Sequence, residues 1–82
     1  KSKALQLTEF KYLNAMHKMI TGQLKEALAE MQNLIKINED LPYLYSSIAF
    51  CQNQLDLKEE AKKSIAIALQ KDGNDVLARS LQ

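Results

Sequence analysis

The chain is short of the residues that punctuate structure: its 82 residues include two glycines, one proline and no tryptophan. So few turn formers and chain breakers favour long helices over many short strands. Its single cysteine, Cys51, can form neither an internal disulfide nor a thiolate zinc cluster, which excludes a disulfide-stapled secreted scaffold. Charge of one sign is missing too. Eleven Lys and Arg against ten Asp and Glu leave a net charge of +1. That balance argues against duplex nucleic acid or an anionic membrane surface as a partner. No apolar run approaches the roughly 18–20 residues that span a bilayer. The start, Lys1-Ser2-Lys3-Ala4-Leu5-Gln6, has basic residues but no apolar core of a secretory signal behind them. A cytoplasmic protein is expected.

What is present is an ordinary globular balance, 46% apolar and 26% charged, in a length that suits one domain over residues 1–82. A chain of this size buries only about 60–65% of its unfolded surface, so its core is thin.

The apolar spacing is helical throughout. Leu7, Phe10, Leu13, Met16 or His17, and Ile20 recur at three- and four-residue steps and predict a helix over about 3–20. Thr21-Gly22 is the first break. A second helix, about 23–37, carries Leu24, Ala27, Leu28, Met31, Leu34 and Ile35 on one stripe, with Asn38 as a left-handed cap. A third is predicted over about 41–54, with Asp40 as N-cap and Pro42 in the first turn. Asp56-Leu57-Lys58-Glu59 resembles a capping box that opens a fourth helix near Leu57. Gly73 is its expected stop, Asn74 a cap for the next element, and Asp75 to Gln82 the start of a fifth helix. The predicted class is all-α.

The chain also repeats itself at an offset of 34 residues. Leu7 falls on Leu41, Ala15 on Ala49, Gly22 on Asp56, Glu26 on Glu60, Ala27 on Ala61, Met31 on Ile65 and Ile35 on Leu69. Antiparallel helices approach closely only where both present small side chains, and the paired alanines supply such crossings twice.

With these residues the sequence resembles the tetratricopeptide repeat family. One unit runs over about 8–41, a second over about 42–75, and a terminal helix over about 75–82. The second unit matches better, with Tyr45, Ile48-Ala49, a turn at Asp56, Lys58-Glu59-Glu60-Ala61, Ile65 and Ala68-Leu69. Ala15, Gly22, Lys25-Glu26-Ala27, Met31 and Leu34-Ile35 carry the first. Glu39 and Gly73 stand where the family has proline, and Lys18 and Gln52 where it has tyrosine. The resemblance implies antiparallel hairpins stacked as a short right-handed solenoid of four to five helices.

Nothing in the residues calls for catalysis or a cofactor. His17, the only histidine, has no ligand or carboxylate partner at metal-binding spacing. Cys51 lies between apolar residues of a predicted helix. Glu39/Asp40 and Glu59/Glu60 sit at predicted helix starts, where the backbone dipole favours negative charge. Two glycines cannot build a phosphate loop. Lys58, Lys62 and Lys63 are interleaved with Glu59 and Glu60, as on a solvated face, so nucleic acid is not the expected partner.

The resemblance implies instead that the first helix of each pair lines a concave groove that takes a peptide or helix of a partner protein. Tyr12, Met16, Met19 and Ile20 would come from the first hairpin, and Tyr43, Ser47, Phe50, Asn53 and Gln54 from the second. Met16 and Ile20 read equally well as core. Met16, Ser47 and Phe50 stand where the family's carboxylate clamp needs Asn or Lys, so the groove is expected to be apolar. The expected function is a non-catalytic interaction module, adaptor or chaperone-like. The alternative is an architectural or oligomerisation segment with no peptide ligand. Apolar Leu5, Leu7, Val76, Leu77 and Leu81 near the ends predict association with itself or with a partner.

Overall fold

The periodic segments fold as five helices among the described residues: α1 (Lys3–Ile20), α2 (Leu24–Ile37), α3 (Leu44–Gln54), α4 (Lys58–Lys71) and α5 (Val76–Leu81). The computed structural model describes residues 3–41 and 43–82, with side chains from Thr8 onward. The expectations placed on Pro42 and on the side chains of Leu5 and Leu7 lie outside the described residues. α1 packs on α2 and α3 on α4 as two hairpins; α2 also lies against α3, and α5 rests on both α3 and α4.

The 34-residue period of the sequence is written into the backbone. α2 and α4 begin and end 34 residues apart, as do the ends of α1 and α3. Each hairpin turn is closed by the same pair of bonds. Gln23 N–H donates to Lys18 O (2.8 Å) and Gly22 N–H to Met19 O (3.3 Å); Leu57 N–H donates to Gln52 O (2.7 Å) and Asp56 N–H to Asn53 O (3.2 Å). The left-handed residue that this closure requires is Gly22 at φ 92° in one turn and Asp56 at φ 67° in the other. Beyond α2 and α4 the stops also match. Asn38 Oδ1 accepts from Asp40 N–H and Asp72 Oδ1 from Asn74 N–H, both at 3.0 Å, an Asx turn in each case.

These closures correct several expected caps. Asn38 and Asp72 are extended, and Gly73 is not in the left-handed region, so side-chain turns end α2 and α4 in place of left-handed caps. Asp56 does not open a capping box: it closes α3, and the cap position of α4 falls to Leu57 without a side-chain bond. Asp40 does not cap α3, which begins later, at Leu44, behind a left-handed Tyr43 (φ 60°). The Asp40 carboxylate instead accepts from Lys71 Nζ at 2.9 Å. For α5 the cap is Asp75, not Asn74; its carboxylate accepts from Ala78 N–H at 3.1 Å.

The core forms where the small residues meet. Ala15, Ala27, Ala49 and Ala61 are all buried, with Leu28, Met31, Leu34, Leu44, Ile48 and Cys51 beside them. Choice of the Ala15 side also decides how α1 sits. This helix carries two apolar stripes, and the one that contains Ala15 allows the closest approach to α2. Tyr12, Met16 and Met19 are therefore half-buried, while Phe10, Leu13 and Ile20, which the spacing puts on one apolar face, stay 68%, 65% and 78% exposed. Between α3 and α4 a buried Ser64 hydroxyl donates to Gln52 Oε1 at 2.7 Å. Gln52 thus ties its hairpin by a hydrogen bond. Among the described residues no buried side-chain polar atom lacks a partner.

Candidate functional site

α3 is central: α2, α4 and α5 all touch it, and most of its side chains are buried. Tyr43, Phe50, Asn53 and Gln54 keep accessible surface along it, with Tyr43 and Gln54 exposed and Phe50 and Asn53 half-buried. Tyr43 stands just before α3 with left-handed backbone, seven residues ahead of Phe50.

Ser47 lies between them in sequence but is only 1% exposed. Its hydroxyl donates to Met16 Sδ at 3.4 Å, which brings α1 against α3. Met16 is thus a lid on Ser47, and Ser47 is a packing residue in this structure. Tyr12 and Met19 are half-buried and pack on the main core cluster. Asn53 accepts from Lys58 Nζ at 3.0 Å and lines a cleft with Ala61, Ile65 and Leu81, toward α4 and α5. Ile20 projects into solvent. The nine expected residues therefore form no single pocket. They comprise a packed pair (Met16, Ser47), two core-backed side chains (Tyr12, Met19), the solvent-facing Ile20, and four residues at the start and along the open side of α3 (Tyr43, Phe50, Asn53, Gln54).

Electrostatics add a residue that the sequence did not single out. Burial pushes the Tyr12 phenol above its ordinary value near 10.0, and the nearby charge of Asp75, then that of Tyr43, adds to the shift. Asp75 is 4% exposed. It also lines a cleft of about 360 Å³ with Tyr43, Tyr45 and Lys71. One buried carboxylate thus borders the start of α3 and the end of α4, and its charge is felt by Tyr12 of α1. From the sequence Asp75 is only the first residue of the fifth helix, with Asn74 as its cap, so nothing there singles it out.

In the same cleft Lys71 lies 5.6 Å from the centre of the Tyr45 ring and pairs with Asp40 and, at 3.8 Å, Glu39. Its hydrogen bond to Asp40 raises the ammonium above the ordinary lysine value. Lys18 is held likewise by Glu30 and, at 3.5 Å, Glu26. Burial pushes the Cys51 thiol up to about 11, which leaves no thiolate to act as a nucleophile near neutral pH. Among the described residues no three His, Cys, Asp or Glu side chains come together as a metal site, and no helix is long and apolar enough to cross a membrane. No family model, curated protein or solved structure matches the chain.

Proposed function

We propose that the chain is a two-repeat tetratricopeptide-like module, without catalytic activity, that binds a peptide or helix of another protein along the side formed by α1 and α3. The observation that carries this reading is the 34-residue equivalence of helix ends, turn bonds and left-handed turn residues. A stack of such hairpins would set their first helices on one side, and the contact between Met16 and Ser47, which links α1 to α3, supports that reading. Phe50 is the anchor of the proposed surface, with Tyr43 at the start of α3 beyond it; Met16 and Met19 are adaptable flanks. Ser47 acts from beneath, as support.

The test uses a defined probe. A display library of random peptides is panned on the immobilised chain, and a selected peptide is then measured in solution. Phe50→Ala should weaken it by roughly thirtyfold, the loss expected for a desolvated aromatic anchor. Lys62→Ala on α4 should change nothing. Raising salt several-fold should matter little, because burial and not charge carries the binding. A folded Phe50→Ala variant with full affinity, or binding abolished by salt alone, rejects this mechanism. An unfolded Phe50→Ala variant makes Phe50 core and rejects the surface.

A further inference from the structure

The two hairpins differ in what covers their second helix. On α2, Leu28 is buried in one cluster with Ile48 and Cys51 of α3, and Leu24 and Leu55 pack against that cluster. Thirty-four residues on, Leu24 and Leu28 become Lys58 and Lys62 of α4, both exposed. Met31, fully buried on α2, becomes Ile65, which stays half-buried. α5 rests on α4 as α3 rests on α2, yet a cleft of about 330 Å³ remains beside it. Lys58 and Lys62 stand at its edge, and Ala61, Ile65 and Leu81 line it between them and the core. Glu59 and Glu60, interleaved with these lysines in sequence, take no part in lining it. Among the described residues no carboxylate lies within ion-pair distance of Lys58 or Lys62, whereas Lys18 and Lys71 each hold two. Lys58 has only the neutral amide oxygen of Asn53, at 3.0 Å.

We infer that this seat takes an acidic amphipathic helix of a partner protein, with apolar side chains over Ile65 and Leu81 and carboxylates on Lys58 and Lys62. The shape of the occupant follows from the first hairpin, where a helix, α3, fills the equivalent place on α2. Its charge follows from the exchange of two leucines for two lysines. An apolar helix like α3 would cover two ammonium groups without giving them a partner, which is costly. A basic helix would meet like charge at both positions. Lys58 and Lys62 are also four residues apart on one helix face, where like charges repel, and a carboxylate set between them relieves that repulsion. The same exchange thus disfavours the occupant that α2 has and selects an acidic one. This inference goes beyond the peptide-binding reading and rests on other residues, so either can fail alone.

Fluorescence anisotropy of a dye-labelled helical peptide tests it. The peptide carries Leu at the spacing of Ile48, Cys51 and Leu55, with Glu at the flanking positions. It should bind, and raising salt several-fold should weaken it. Lys58→Glu and Lys62→Glu, at exposed positions, should each cost roughly fivefold in affinity with unchanged helical circular dichroism. The same peptide with Gln for Glu should bind at least roughly fivefold more weakly. Tyr43→Ala, on the α1–α3 side, should leave binding unchanged. Failure of the Glu peptide to bind, equal binding of the Gln peptide, or full affinity in both lysine variants overturns the proposal. So does a loss on Tyr43→Ala as large as on the lysine variants, which moves the peptide to the α1–α3 side. A parent chain that runs as a dimer in light scattering, and that Lys62→Glu returns to a monomer, gives the seat to a second copy and overturns it equally.

Discussion

Cys51, Tyr12, Lys18 and Lys71 all hold their protons more tightly than free side chains do. Burial causes this at Cys51 and leads at Tyr12; hydrogen bonds to Glu30 and Asp40 lead at Lys18 and Lys71. The sign is the same for each. A raised folded value means that the unfolded chain releases its proton first, so stability is fully present below the ordinary value and is lost as pH rises toward the folded one. For Cys51 the window runs from the ordinary 9.0 to about 11. A gap of that size is worth on the order of 2–3 kcal/mol. Urea melts across the alkaline range should show stability falling from about pH 9, and Cys51→Ala should delay the onset to about pH 10, where Tyr12 begins to contribute. An identical onset in parent and variant would contradict the burial of this thiol.

At the scale of elements, the two hairpin turns offer a sharper contrast than the helices they join. Gly22 at φ 92° and Asp56 at φ 67° do the same conformational work, but only glycine does it without strain. A Cβ added at Gly22 meets nothing within 4 Å, so the cost of Gly22→Ala is backbone strain alone, about 1 kcal/mol. Asp56→Gly relieves similar strain while it loosens the unfolded chain, so its stability should change by less than about 0.5 kcal/mol. Chemical denaturation of both variants checks this pair. A Gly22→Ala variant as stable as the parent would mean that the turn is not closed in this way.

Those turns also explain what could be read in advance. Helix positions were legible because apolar residues recur at helical spacing, and the repeat was legible because Ala15/Ala49 and Ala27/Ala61 mark crossings that tolerate only small side chains. Caps were misread because Asp and Asn serve two opposite purposes, opening a helix or closing the one before it. Asp56 sits next to a helix start, yet its backbone belongs to the end of α3. The α1 face was misread for a related reason. Periodicity alone gives Phe10, Leu13 and Ile20 as good a claim to the core as Tyr12, Ala15 and Met19. Only the need for close approach at Ala15 separates the stripes, and that is a property of the pair α1–α2. Asp75 beside Tyr43 was out of reach, because the two residues are brought together by tertiary packing.

On the scale of the whole molecule, α3 is enclosed on three sides by α2, α4 and α5, and α1 closes over Ser47. What it leaves open is the line from Tyr43 through Phe50 to Gln54, while α1 presents a separate apolar stripe on its outer face. The α1–α3 side is the surface proposed for a partner peptide. Nuclear magnetic resonance of the labelled chain, titrated with a peptide selected by panning, examines that side residue by residue. Resonances of Met16, Met19, Tyr43 and Phe50 should move together and saturate together, while those of Phe10 and Leu13 on the outer face and Lys62 and Ile67 on α4 stay in place. Shifts that centre on Lys62 and Ile67, with Phe50 and Met16 unmoved, would contradict the proposed binding side.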